Sequence, residues 1–176
     1  MKRHVLITAP IPDTLLERIA SVSPDLVVER DTLPRDGRPE GLLSEVEIHY
    51  TTDRTLPPEQ SPRLRWVQGH WAGVNNLVDT PVWQSDLLLT TTSGIHAPNI
   101  GQYVMAQMLA WANKVPRWVR VQQGGQWPAG RREAFLPDEL AGRTLGIIGY
   151  GSIGREVARL ARAFNMTILV TKRDAR

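Results

Sequence analysis

Three glycines near the end of the chain, Gly149, Gly151 and Gly154, have the spacing Gly-x-Gly-x-x-Gly. They directly follow the apolar run 143–148. In such a motif the first glycine permits a tight turn from strand to helix, and the second lets the backbone approach a pyrophosphate. The third lets the helix pack closely on the strand, while free N–H groups at the helix start hold the phosphates.

The surroundings of the motif make it specific, because the glycines alone would occur by chance in roughly one such chain in twelve. Apolar residues recur behind it at the spacing of one helix face: Ile153, Val157, Leu160, Ala161 and Phe164. The run 166–171 then supplies a second strand, which completes a βαβ unit. The unit predicts that residues 149–154, with Tyr150, Ser152 and Ile153 between the glycines, bind a dinucleotide. The alternative is a glycine-rich turn without a ligand.

Two cations, Lys172 and Arg173, follow the second strand, where an acid usually bonds the ribose 2′-hydroxyl of NAD. A guanidinium and an ammonium can clamp a 2′-phosphate, so the pair favours NADP over NAD as the cofactor. NAD stays open as the cofactor, because the Asp174 carboxylate can accept a hydrogen bond from the ribose 2′-hydroxyl if the strand runs longer. The third interpretation is that Lys172 and Arg173 are solvated surface residues that bind no ligand.

The elements that must position this motif begin with short apolar runs in the first half of the chain: 5–8, 26–29, 47–51, 65–68 and 87–92. Short helical patches lie between them, and Thr14 and Glu17 have the spacing of a capping box. Near-continuous apolar runs separated by helices predict a parallel sheet covered on both faces.

A long helix is predicted next, beginning at Pro98. Its apolar face is formed by residues three or four positions apart: Met105, Met108, Leu109, Ala112 and Val115. Pro116 should end or kink the helix, and a turn-rich loop at 124–130 leads to the glycine unit. We therefore predict two α/β layers, residues 1–98 and residues 99–176.

Composition excludes several classes of protein. Hydrophobic residues make up 41% and charged residues 22% of the 176, which is typical of a globular chain. The absence of cysteine excludes disulfides and thiol nucleophiles, and no metal site is predicted. No run approaches the roughly 18 apolar residues of a membrane helix, so we expect a cytoplasmic protein without a membrane partner. The net charge of +3 is spread out and no nucleic-acid module is present, so no nucleic-acid partner is predicted.

Residues 140–158 resemble the opening of the cofactor domain of the D-isomer-specific 2-hydroxyacid dehydrogenases. Segments 64–68 and 71–75 are similar to that family's substrate-carboxylate loop, and residues 108–110 and Trp127 stand in the expected order. The resemblance implies hydride transfer between NAD(P)H and a small 2-keto or 2-hydroxy acid. It also implies a homodimer, with a flavodoxin-like substrate domain followed by the start of a Rossmann domain.

The resemblance assigns the substrate carboxylate to the backbone N–H groups of three consecutive residues: Ala72, Gly73 and Val74. It places Ser152 and Ile153 against the pyrophosphate and Val104 near the nicotinamide. The family's usual acid after the second strand falls on Lys172, which again favours NADP. Asn75 replaces a usual Asp, and Gly101-Gln102 replaces a usual Ala-Glu, and neither change removes a group known to do chemistry.

The family's catalytic Arg, Glu and His lie beyond the second cofactor-domain strand, where this sequence stops. No catalytic residue is therefore assigned, and the chain is expected to be truncated and inactive alone. His70 and His96 follow strand ends near the expected site, although such histidines are more often structural.

Two functions remain open from the sequence. The first is the dehydrogenase, and the second is a non-catalytic module that senses a dinucleotide or docks a partner on the same scaffold. Other enzyme classes are disfavoured, because the Gly-x-Ser-x-Gly, His-Glu-x-x-His and P-loop patterns are missing from the sequence.

Overall fold

The structure is a computed structural model that describes residues 2–31, 42–52, 55–125, 130 and 132–173. The chain divides into two compact units, Met1–Ser93 and Gly94–Arg176. Among the described residues the first unit holds a five-stranded sheet and the second a two-stranded sheet, both parallel. The α/β class is thus confirmed. It stays a prediction that residues 1–98 form the substrate domain and that residues 99–176 form a linker helix and the first part of an NAD(P)-binding Rossmann domain.

The sheet of the first unit is made of five short strands: β1 (Arg3–Ile7), β2 (Leu26–Arg30), β3 (Val46–Thr51), β4 (Trp66–Gly69) and β5 (Leu88–Thr91). They lie in the order β2-β1-β3-β4-β5, which is the flavodoxin-like order. Because all the strands are parallel, their carboxyl ends meet at one edge of the sheet, where ligands bind in this class of fold. The loops after β3, β4 and β5 therefore share that edge.

Helix α1 (Asp13–Ala20) lies between β1 and β2, and its apolar residues pack against β1. The capping box predicted at Thr14 is wrong, because the helix already begins at Asp13 and Pro12 occupies the N-cap position. The Pro12 carbonyl accepts the N–H groups of Leu15 and Leu16 at 2.9 and 3.3 Å, which starts the helix too early for Thr14 to cap it.

Glu47 is a buried carboxylate at the start of β3, with 4% of the residue exposed. Its Oε2 accepts a hydrogen bond from Arg3 Nη1 at 2.5 Å, and its Oε1 lies 3.6 Å from Arg63 Nη2. The Arg3 hydrogen bond holds the pKa of Glu47 below its ordinary value, although burial opposes this, and the nearby positive charges act in the same direction as Arg3. The Arg3–Glu47 ion pair joins the amino ends of β1 and β3, so its role is structural.

A lowered pKa in the folded state means that Glu47 stabilises the fold fully above its unfolded pKa and loses this contribution as the pH falls through the folded pKa. We therefore expect stability to drop below about pH 4.5, the ordinary pKa of a glutamate. Glu47→Gln should cost about 2 kcal/mol at pH 7 and flatten this acid limb. Urea midpoints at pH 7, 4.5 and 3 test it, with the exposed Glu17→Gln as control. An unchanged acid limb in Glu47→Gln would count against the assignment.

The second unit contains three helices and two strands in its described part: α2 (Ala97–Ala112), α3 (Val115–Gln123), β6 (Thr144–Ile148), α4 (Ser152–Ala163) and β7 (Thr167–Thr171). Short 3-10 turns in the chain lie at Leu42–Ser44, Pro58–Gln60 and Arg132–Phe135. Helix α2 packs on α4 so closely that a Cβ at Gly101 would lie 2.9 Å from Glu156 Cγ. Met105 of α2, Ala161 of α4 and Met166 form the buried centre of the unit.

The predicted long helix breaks earlier than expected, because α2 ends at Ala112 and Lys114 adopts a left-handed backbone with φ of 54°. Pro116 lies in the first turn of α3, where its ring is tolerated, whereas in a continuous helix it would clash with the Ala112 carbonyl. Val115 is therefore outside the predicted apolar face and is 43% exposed. Met105 and Ala112 are buried as predicted.

The apolar face predicted for the glycine-motif helix is too long at both ends. Ile153 and Phe164 are 40% and 37% exposed, whereas Val157 and Ala161 are buried together with Ala158. Helix α4 contacts α2, β6 and β7, and the apolar side chains that it buries lie in its middle turns. Trp127 and Asp174 lie outside the described residues, and no helix in the described ranges has the length and apolarity needed to cross a membrane.

Candidate functional site

The glycine turn joins β6 to α4, and its three glycines have different structural roles. Gly149 has a φ of +92°, a backbone conformation that other residues rarely adopt, and its N–H donates to Thr171 O at 2.9 Å. A Cβ at Gly154 would overlap the Gly149 carbonyl oxygen and lie 3.3 Å from Ile147 Cγ2. Gly149 therefore makes the turn, and Gly154 allows the helix to pack on it.

Gly151 differs from its two neighbours in the motif, because a Cβ built on it meets nothing within 4 Å. Its φ of −82° and ψ of −158° are open to other residues, and it occupies the N-cap position of α4. Neither strain nor packing explains a glycine here. The open space beside its backbone is what a phosphate group would need.

The N-terminal turn of α4 offers hydrogen-bond donors. The N–H of Arg155 is the first in α4 to find an acceptor among the described residues, and it donates to Gly151 O at 3.0 Å. The N–H groups of Ser152, Ile153 and Gly154 have no partner in the described part of the chain. With no acidic side chain in the first turn, the positive end of the helix dipole is not neutralised there. This arrangement suits an anion.

The end of β7 lies beside the glycine turn, because the hydrogen bond from Gly149 to Thr171 continues the ladder between β6 and β7. Lys172 and Arg173 follow Thr171 directly, and both are exposed. The backbone of Lys172 and Arg173 thus continues from a strand end that lies beside the predicted pyrophosphate site. Val104 lies on α2, half-buried, one residue before Met105, which packs against Ala161 of α4.

The loop after β4 carries the three residues assigned to a carboxylate. The Trp71 carbonyl accepts two hydrogen bonds from Thr92, one from its N–H at 3.0 Å and one from its Oγ1 at 3.3 Å. In a planar trans peptide the N–H points opposite to the carbonyl, so Thr92 turns the Ala72 N–H away from β5.

Ala72 and Gly73 are exposed, Val74 is half-buried, and the N–H groups of all three lack a partner among the residues that the structure describes. A Cβ at Gly73 would meet nothing within 4 Å, so space is open beside the loop. Three consecutive free donors can hold a carboxylate without a charged side chain. Each of the two compact units thus presents a group of free backbone N–H donors at its predicted binding site: residues 72–74 in the first unit and residues 152–154 in the second.

Two polar side chains, Tyr50 and Arg155, are not among the candidates that the sequence patterns indicate. Tyr50 Oη and His70 Nδ1 form a hydrogen bond at the carboxyl ends of β3 and β4. Arg155 Nη1 donates to Tyr150 O at 3.4 Å, which places a guanidinium beside the glycine turn. The alternation of side chains along β3 could have indicated Tyr50, but only the strand register shows its partner. His96 occupies the N-cap position of α2 without a side-chain capping bond.

Known proteins with similar sequences are 2-hydroxyacid dehydrogenases and reductases. The family model described as D-isomer specific 2-hydroxyacid dehydrogenase, NAD binding domain, matches residues 105–176. Glyoxylate reductase from Pyrococcus furiosus is 30% identical over 98% of this chain and 54% of its own length. Glyoxylate/hydroxypyruvate reductase B from Shigella flexneri is 29% identical over 98% of this chain and 55% of its own length.

Among solved structures, a D-isomer specific 2-hydroxyacid dehydrogenase family protein from Aeromonas salmonicida has a TM-score of 0.78 at 27% identity. The match covers 100% of this chain and 55% of that one. The chain therefore spans about half the length of the curated relatives it matches. The resemblance seen in the sequence is confirmed: residues 105–176 match the NAD-binding domain of the D-isomer-specific 2-hydroxyacid dehydrogenases, and nearly the whole chain is similar to about half of these relatives.

Proposed function

We propose that this protein is an oxidoreductase that transfers a hydride between NAD(P)H and a small 2-keto or 2-hydroxy acid. The glycine turn carries the proposal, because Gly151 leaves open space beside the free N–H groups of Ser152 and Ile153. The match of residues 105–176 to the family's NAD-binding domain supports the reaction class, as do relatives named glyoxylate and hydroxypyruvate reductases.

Each unit has its own part in this proposal. The N–H groups of residues 72–74 bind and orient the substrate carboxylate, and the start of α4 binds the pyrophosphate. The bound cofactor supplies the hydride. Reduction also needs a proton donor for the carbonyl oxygen and a cation that orients the substrate carboxylate. Residues 1–176 offer no recognisable candidate for either role. We therefore expect this chain to bind both ligands without turning over the acid.

Titration of the isotope-labelled chain with glyoxylate tests the carboxylate site. The amide resonances of residues 72–74 should shift in a saturable way, because a carboxylate would occupy their N–H groups. Methyl glyoxylate lacks the charge and should leave the same resonances unmoved. Equal shifts with the ester, or none with the acid, would contradict the proposed reaction. Dinucleotide binding in the absence of acid binding would instead support a non-catalytic sensor.

We propose NADP rather than NAD as the cofactor, since Lys172 and Arg173 stand where the family usually has an acid. A 2′-phosphate can accept charge-assisted hydrogen bonds from both cations. Lys172→Asp should shift the ratio of NADPH to NADH affinity toward NADH by about tenfold, roughly the worth of one such bond. Fluorescence titration of both reduced cofactors measures it, with Lys2→Asp as a control of equal charge change. An unchanged ratio would refute the preference.

We also propose a homodimer, because large apolar side chains of the second unit are exposed to solvent. Tyr103 is 63%, Trp111 82% and Ile148 93% exposed, and burial of such groups drives association. Light scattering should give twice the chain mass, and a monomer at high concentration would argue against it. A cytoplasmic location stays a prediction from the sequence.

A further inference from the structure

We propose that His70, held in place by Tyr50, contacts the substituent on C3 of a bound 2-keto acid and selects acids that carry a hydroxyl there. The inference rests on the proposed function, because it takes the N–H groups of residues 72–74 as the carboxylate site. His70 is the substrate contact in this proposal, and Tyr50 is a positioning residue.

The strand register places the two side chains on one face of the sheet. Tyr50 pairs with Gln68, and His70 lies two residues beyond Gln68, so all three side chains share a face. The His70 N–H donates to Thr51 O at 2.8 Å, which extends the ladder beyond β4 and fixes the His70 backbone. The Tyr50 and His70 rings meet edge to face, with their centroids 5.6 Å apart.

The hydrogen bond between these side chains determines which imidazole nitrogen carries the proton. Burial raises the pKa of Tyr50, which keeps its phenol protonated, and we infer that the phenol O–H donates to His70 Nδ1, the ring nitrogen that lies within hydrogen-bond distance. An Nδ1 that accepts leaves the hydrogen of the neutral ring on Nε2. The side chain of His70 is exposed, and its Nε2 has no partner within the described ranges. His70 therefore presents a fixed N–H donor to solvent.

The position of this donor suits the far end of a three-carbon acid. Ala72, the first residue of the carboxylate loop, is two residues after His70, and two residues of extended chain span at most about 7 Å. With C1 at the loop, the C3 substituent comes within reach of the imidazole. A hydroxyl on C3 can accept the Nε2 hydrogen, whereas a methyl group cannot.

Paired titrations of the labelled chain with hydroxypyruvate and pyruvate test this, with binding read from the amide resonances of residues 72–74. We expect hydroxypyruvate to bind about three- to tenfold more tightly, the usual worth of one hydrogen bond. The ratio should fall to about one in His70→Leu and recover partly in His70→Gln, which keeps a donor. Tyr50→Phe should lower the ratio while the side-chain ¹⁵N shifts of His70 show mixed tautomers.

The outcomes distinguish the selection role of His70 from the carboxylate site at residues 72–74 on which it rests. If both acids shift the loop amides but their ratio is the same in the unmodified chain and in His70→Leu, the selection role of His70 is wrong and the carboxylate site stands. If neither acid shifts the amides, the carboxylate site is contradicted and the inference with it. Amide spectra with unchanged dispersion show that each variant is folded.

Discussion

Gly154→Ala is expected to destabilise the βαβ layer of the second unit by about 3 kcal/mol or more, since overpacking against backbone is costly. The added Cβ would overlap the Gly149 carbonyl oxygen, and Gly149 cannot move freely because its N–H is bonded to Thr171 O. Relief would require α4 to separate from β6. Urea unfolding followed by near-ultraviolet circular dichroism measures the loss.

Gly151→Ala is the matched control, because it adds the same methyl group three residues earlier in the same turn. Its Cβ meets nothing within 4 Å, and the backbone of Gly151 is in an extended region open to alanine. The loss should stay within about 1 kcal/mol, the cost of alanine at an N-cap. Equal losses in the two variants would show that α4 does not pack on the turn as described.

The second large effect concerns ligand affinity rather than stability. Gly151→Val should weaken NADPH binding at least tenfold, on the order of one lost charge-assisted hydrogen bond plus steric exclusion. A Cβ at Gly151 meets nothing within 4 Å, so we expect the fold to accept the branched side chain, which would fill the space that a pyrophosphate enters beside Ser152 and Ile153. Calorimetric titration of the unmodified chain and the variant measures the change.

Gly73→Ala is the control for this affinity, because Gly73 is also open and exposed but lies in the carboxylate loop of the first unit. We expect it to leave the NADPH affinity unchanged. An unaltered affinity in Gly151→Val would mean that the dinucleotide does not approach the chain at this glycine.

The sequence alone predicts the parts of this fold that depend on local pattern. Apolar runs predict the strands of both sheets, and the spacing of the glycines with the following helix face predicts the βαβ unit. Errors arise where two local signals compete. The Pro12 carbonyl starts α1 before Thr14 can cap it, and Pro116 makes the chain break α2 ahead of the proline.

Features that depend on strand register could not be predicted in this way. The Tyr50–His70 hydrogen bond joins residues 20 positions apart, and the Thr92–Trp71 bonds join residues 21 apart. Both need the register of β3, β4 and β5 before any contact can be assigned. The sequence therefore indicates the carboxylate loop only through resemblance, and the orientation of its Ala72 N–H follows only from the structure.

Titration of the ¹⁵N-labelled chain with NADPH is the most direct test of the dinucleotide site at the start of α4. The amide resonances of Ser152, Ile153 and Gly154 should shift together and saturate, because their free N–H groups would bind the pyrophosphate. The same resonances should stay in place when NADPH is added to Gly151→Val. Saturable binding that moves other amides but leaves these three unmoved would contradict the account, as would no binding at all.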